Sequence, residues 1–195
     1  MTIKNTSLSY GSVAKWLHWG TAALFLAAYV SVYYRQWFTE SRTPENFTAL
    51  QIHLSVGISI AVVVLLRILW KKVNINPDME PGTKLEHNAA KLGHYALYFI
   101  MIVMPITGYF GTGLNTNFFF LFEIPKFEET VVFQSIISDG LGLTFKEFEK
   151  PMDFIHKDLL GAWFVWILIL GHASAALYHH FIKKDRTMAK MTTGK

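Results

Sequence analysis

Four long apolar stretches alternate with polar connections along the chain: about Val13 to Tyr34, Leu50 to Trp70, Leu92 to Gly111 and Leu159 to Ile182. Each holds roughly 20 residues, which at about 1.5 Å per residue crosses about 30 Å of hydrocarbon. The pattern predicts an all-α integral membrane protein: a single domain over residues 1–195 built as a four-helix transmembrane bundle. The third stretch carries Pro105 and Gly108, a pair that would interrupt a soluble helix but is tolerated in a packed membrane helix. Trp16, Trp19, Tyr33, Tyr34, Trp37, Trp70 and Tyr178 stand near the segment ends, where amphipathic rings anchor at the interface. The longest connection, about Thr112 to Phe154, opens with Asn117-Phe-Phe-Phe-Leu-Phe122 and then turns acidic; it could lie on the membrane surface.

Composition agrees with the patterning. The 195 residues are 52% hydrophobic and only 16% charged, against about a quarter charged in ordinary soluble domains; mean hydropathy is +0.29. The first apolar run is long and no small-residue cleavage site follows it, so it reads as a permanent helix and not as a removable leader. Cysteine is absent, which excludes disulfides, Cys-ligated iron–sulfur clusters, thioether-bound haem and thiol nucleophiles. The net charge of +4 is modest for a nucleic-acid binder, and no nucleic-acid partner is expected.

The charges are better explained by topology. Twelve of the 18 Lys and Arg residues (Lys4, Lys15, Arg67, Lys71, Lys72, Lys84, Lys91, Lys183, Lys184, Arg186, Lys190, Lys195) fall at the amino end, in the second connection and in the tail. Six (Arg35, Arg42, Lys126, Lys146, Lys150, Lys157) fall on the other side. The positive-inside rule then puts both termini in the cytoplasm, and the Thr112–Phe154 connection outside.

The candidate chemistry lies in the eight histidines. An imidazole inside a membrane costs free energy unless something binds it. His18 and His172 fall at matching depths toward the inner side, and His53 and His156 toward the outer side. Two cross-helix pairs suit two stacked bis-histidine haems, since neutral imidazole is a common axial ligand to haem iron. Gly20, Gly57, Gly161 and Gly171 accompany them, and glycine lets a flat macrocycle approach the backbone closely; tight helix packing explains each glycine alone as well. Any one histidine could equally be a plain interfacial residue. His179 lies seven residues past His172 and shares its helix face, so it is the candidate for a quinone contact or a proton relay. His94 could take either role or simply be solvated, His180 reads as solvated and His87 as surface. Arg67, Lys71 and Lys91 could pair with haem propionates, although topology explains their charge too.

Taken together, Leu17-His18-Trp19, Ile52-His53-Leu-Ser-Val-Gly57-Ile, Leu92-Gly93-His94 and Gly171-His172-Ala-Ser-Ala-Ala-Leu-Tyr-His179-His180-Phe, followed by Asp185 and a basic tail, resemble the bacterial cytochrome b-561 family over nearly the whole chain. The resemblance implies a di-haem b membrane protein of the bacterial inner (plasma) membrane, with His18 and His172 on the inner haem and His53 and His156 on the outer haem. It further implies electron transfer from a small-molecule donor, with superoxide favoured, to ubiquinone. The alternative it implies is a haem b subunit that docks a peripheral dehydrogenase or hydrogenase. The short chain resembles the stand-alone branch more. A reading from a different class, a metal or proton transporter relaying through histidines, predicts mid-membrane carboxylates, and the sequence has none.

Two features depart from the family pattern. Its fourth-helix ligands are usually fourteen residues apart, close to four full turns. Here the separation from His156 to His172 is sixteen, about 160° off that face in a regular α-helix. The outer ligand therefore requires that His156 precede the regular helix or that π-bulges absorb the excess. Second, seven acids (Glu123, Glu128, Glu129, Asp139, Glu147, Glu149, Asp153) face only Lys126, Lys146 and Lys150 in the outer connection. A negative rim slows an anionic donor such as superoxide.

Overall fold

A computed structural model describes residues 2–194. Four long helices make up most of it: α1 (Ser12–Phe38), α2 (Pro44–Lys72), α3 (Lys84–Phe110) and α4 (Phe145–Lys183). All extend beyond the apolar stretches that predict them, and polar side-chain caps carry α2, α3 and α4 past the hydrophobic run. Thr43 caps α2 ahead of Pro44, whose fixed φ suits the first helical turn. Thr83 with Glu86, and Thr144 with Glu147, form reciprocal capping boxes on α3 and α4. The last box starts α4 at Phe145 and shortens the outer connection to Gly111–Thr144. Pro105 sits within an uninterrupted α3.

Three of these helices, α2, α3 and α4, are long and apolar enough to cross a membrane. The fourth, α1, is equally long, but its Tyr, Trp, Ser and Thr residues dilute its hydropathy below that of the others. The chain is thus a membrane protein with three clear spans among the described residues.

Within α4, regular α-helix over Phe145–Asp153 gives way to π-helix over Phe154–Phe164, returns to α over Val165–Tyr178, and ends in a π turn, His179–Lys183. Helices α1 and α2 pack along each other, and α2 along α3. Helix α4 packs on α3 and stands off from the other two. Long aromatic side chains span that gap. Tyr29 Oη donates to the Gly161 carbonyl at 2.9 Å, Trp166 Nε1 donates to Tyr33 Oη at 3.1 Å, and the Tyr29 and Trp166 rings lie 4.5 Å apart. A buried apolar layer of Phe25, Val56, Ile60, Val64, Ile100, Met101, Leu160 and Val165 fills the middle of the bundle.

The outer connection begins with a two-stranded antiparallel hairpin, β1 (Thr116–Phe118) and β2 (Phe122–Ile124). At the opposite end the amino-terminal arm, the α2–α3 connection and the carboxy-terminal helix α5 (Thr187–Met191) interlock. Tyr10 N–H donates to the Lys190 carbonyl, Asp78 N–H to Ser7, and Lys15 Nζ to Thr192, while Lys190 Nζ pairs with Glu80 at 2.5 Å. The amino-terminal arm and the carboxy-terminal helix therefore lie together at one end of the bundle.

Candidate functional site

The apolar layer separates two histidine clusters. In the outer cluster, His53 from α2 and His156 from the π-helical part of α4 stand with ring centroids 6.1 Å apart. His53 Nδ1 donates to the Ala28 carbonyl at 3.0 Å, and His156 Nδ1 to the Met104 carbonyl at 2.9 Å. A carbonyl only accepts, so both protons sit on Nδ1 and both Nε2 lone pairs are free to bind a metal. At Gly108, one turn past Met104, an added Cβ would stand 2.8 Å from His156 Cε1, so glycine lets the imidazole lie close against α3. Gly108 is a site residue that sequence reasoning took only for a kink; its role follows from the packing of His156 on α3, which no local sequence signal marks.

The π-helix resolves the sixteen-residue spacing. Eight steps at about 4.4 residues per turn and eight at 3.6 return His172 to within about 20° of the His156 face. The wider turn also brings the His156 carbonyl over Gly161, where a Cβ would meet it at 2.5 Å. A pocket lined by His53, Gly57, Pro105, Gly108, Tyr109, Thr116 and His156 opens between the helices. At Gly57 a Cβ would meet nothing within 4 Å, so this glycine faces open space in the pocket.

In the inner cluster, His18 from α1 and His172 from α4 also have centroids 6.1 Å apart. Two imidazoles held on opposite sides of one metal by nitrogen bonds of about 2 Å place their centroids about 6 Å apart, and both pairs meet that spacing. The clusters differ in proton placement. Arg67 Nη2 lies 2.9 Å from His18 Nδ1, and a guanidinium only donates. His18 Nδ1 therefore accepts and its proton sits on Nε2, so Arg67 must turn away before His18 Nε2 can bind a metal. The Arg67 and Lys71 side chains lie over the Tyr98 ring at 5.4 and 4.7 Å, and among the described residues no carboxylate pairs with either. His94, for which the sequence allows a solvated role, joins the cluster: its Nδ1 donates to Ala90 at 2.6 Å and its ring meets His172 edge-on at 5.5 Å.

The remaining histidines lie apart from both pairs. His179 is held by Asp185 and lies near Thr187, so it ties the tail to α4. His87 Nε2 donates to the Glu80 carbonyl, and the His180 ring meets Phe181 edge-on. In the outer segment, most of the acids have local partners. Glu123 accepts from Asn115, Glu128 and Glu129 lie near Lys126, Glu147 caps α4, and Asp153 pairs with Lys157.

The family profile described as prokaryotic cytochrome b561 matches residues 9–194. The chain is 29% identical to cytochrome b561 homolog 2 of Escherichia coli (strain K12), over 98% of this chain and 95% of that protein. It is 25% identical to cytochrome b561 homolog 1 of the same organism, over 90% and 92%. It is also 28% identical to a probable superoxide oxidase, CybB, of Yersinia pestis, over 90% of each chain.

Proposed function

Since the chain belongs to the prokaryotic cytochrome b561 family, whose members are membrane electron-transfer proteins that bind haem b, we propose that it is a four-span, di-haem b oxidoreductase of the bacterial inner membrane. In this reading both termini are cytoplasmic, His53 and His156 hold the outer haem, and His18 and His172 hold the inner haem. The observation that carries it is the matched 6.1 Å spacing of the two histidine pairs on either side of one apolar layer.

Bound haem would supply reversible one-electron storage at each pair. The chain's own residues do the rest. The Ala28 and Met104 carbonyls orient the outer imidazoles, and Gly57 leaves room for a flat group against α2. The apolar layer excludes water between the clusters. Arg67, released from His18, is placed to pair with a propionate, with Lys71 beside it. From the depth of Ala28 to that of His18 is ten residues of α1, about 15 Å, so the two clusters are separated by about half the thickness of the hydrocarbon, one toward each side.

For donor and acceptor, we favour superoxide and ubiquinone. Two superoxide ions, each oxidised to O2, release two electrons, which with two protons reduce one ubiquinone to ubiquinol. Similarity to the probable superoxide oxidase supports the donor, and the local pairing of most outer acids weakens the repulsion an anion would meet. His179, on the face of α4 that carries His172, is the proposed quinone contact. A second reading, an electron-transfer subunit docking a basic peripheral dehydrogenase, is favoured by the acids of the outer segment that stay unpaired, such as the exposed Asp139 and the half-buried Glu149.

A reduced-minus-oxidised spectrum of the purified protein with haem quantitation tests the core reading: a sharp b-type α-band is expected, and less than about one haem per chain overturns it. Quinone reduction with superoxide as sole donor then separates the enzyme from the subunit.

A further inference from the structure

The Thr116–Ile124 hairpin is anchored on α2 in an unusual way. Gln51 and Ser55 are almost completely buried, and both spend their side chains on hairpin backbone. Gln51 Nε2 donates to the Asn115 carbonyl at 3.1 Å, and its Oε1 accepts from Asn117 N–H at 2.7 Å. Ser55 Oγ accepts from Phe119 N–H at 3.0 Å. The hairpin therefore descends along α2 from the level of residue 51 to that of residue 55. Ser55 lies eight residues past Phe47, about 12 Å along the helix, in a run from Phe47 to Trp70 whose only charge is Arg67.

The tip that reaches this depth is Phe118-Phe-Phe-Leu-Phe122. Phe119 and Phe120 occupy the turn with φ of 44° and 61°, positions that aqueous hairpins give to Asn and Gly. Bulky residues accept this left-handed backbone only where the surroundings reward it. Leu121 is 78% exposed, and Phe120 and Phe122 are also outside the protein core. Meanwhile much of the hairpin's backbone is hydrogen-bonded within the protein: Phe120 N–H donates to Asn117, Leu121 N–H to Phe118, the strands pair, and Gln51 and Ser55 take the Asn117 and Phe119 N–H groups. Such internal hydrogen bonding lowers the cost of bringing a non-helical segment into hydrocarbon. The polar residues Asn115, Glu123 and Lys126 cluster at the other end of the hairpin, toward the interface.

We infer that this hairpin is a re-entrant wedge whose aromatic tip lies among the lipid acyl chains of the leaflet on the His53 side, while buried Thr116 at its base walls the outer histidine pocket. The occupant of the exposed tip is lipid, on the grounds of its depth on α2 and its continuity with the exposed apolar faces of the helices. A connection resting on the membrane surface, as the sequence alone allows, would not need its backbone tied to the side of a spanning helix.

Because the chain has no cysteine, single nitroxide labels test this directly in the full-length protein reconstituted into phosphatidylcholine vesicles. Labels are placed at Leu121→Cys, at Val62→Cys as a lipid-facing reference on α2 and at exposed Asp139→Cys as a water reference; Phe122→Cys replaces Leu121→Cys if that variant does not assemble. Oxygen is expected to relax the tip label severalfold more than a water-soluble nickel chelate, as at residue 62. A tip label that the chelate relaxes as at residue 139 overturns the proposal. So does one shielded from both reagents, which would mean that the tip packs against protein.

Discussion

The imidazoles of His53 and His156 face each other at a centroid separation of 6.1 Å, and each is turned there by a backbone carbonyl from a different helix, Ala28 on α1 and Met104 on α3. All four helices thus contribute to one pair of free Nε2 atoms. His53→Ala and His156→Ala are accordingly expected to abolish the same spectral component, leaving the other intact, while His18→Ala and His172→Ala remove that other. Haem content and reduced spectra of the four variants check this; loss of different components from His53→Ala and His156→Ala would break the pairing.

Glycines near the pairs separate effects on the chain from effects on the cofactor. At Gly161 a Cβ would press on the His156 carbonyl, so Gly161→Ala is expected to destabilise the folded protein by about 1–3 kcal/mol, the usual cost of overpacking, measurable by thermal unfolding. Gly57→Ala meets nothing. It should leave the stability of the haem-free chain within about 0.5 kcal/mol of the parent, yet reduce haem retention at the outer site.

Gln51 holds the hairpin through two backbone groups. Replacing it with Ala strands both, at about 1–3 kcal/mol for each buried group left unsatisfied. A loss of roughly 2 kcal/mol or more in denaturant or thermal unfolding is expected, with faster amide exchange over residues 115–119.

The tail supplies a pH dependence. Burial pushes the Asp185 carboxyl up, but hydrogen bonds from His179 and Thr187 outweigh it and hold the group below the usual carboxylate range. A depressed folded value means that the stabilisation is fully present above the unfolded value, about 4, and is lost as pH falls through the lower folded one. Docking of α5 should therefore be constant from neutral pH down to about 4 and fail below it, and Asp185→Asn should loosen it at neutral pH. Hydrogen exchange of residues 187–191 is the measurement; protection unchanged in Asp185→Asn would show that Lys190 with Glu80 and the backbone bonds hold the tail unaided.

Much of the protein is legible along the chain. Helical apolar runs fit the thickness of a bilayer, so the four long helices follow from residue order, and the depth of each histidine along its run already sorts His18 with His172 and His53 with His156. Helix ends are less legible, since Thr83–Glu86 and Thr144–Glu147 carry α3 and α4 well beyond their apolar cores. What one-dimensional spacing could not settle was angle. A regular helix turns His156 away from the His172 face, and only the π-helix over Phe154–Phe164, whose wider turn brings the His156 carbonyl over Gly161, brings it back. Proton placement is tertiary for the same reason: it depends on which group happens to lie beside each Nδ1, a carbonyl at His53 and His156 but the Arg67 guanidinium at His18. Residue order determines how deep a side chain lies in the membrane; the direction it faces, and what it finds there, come from packing between helices.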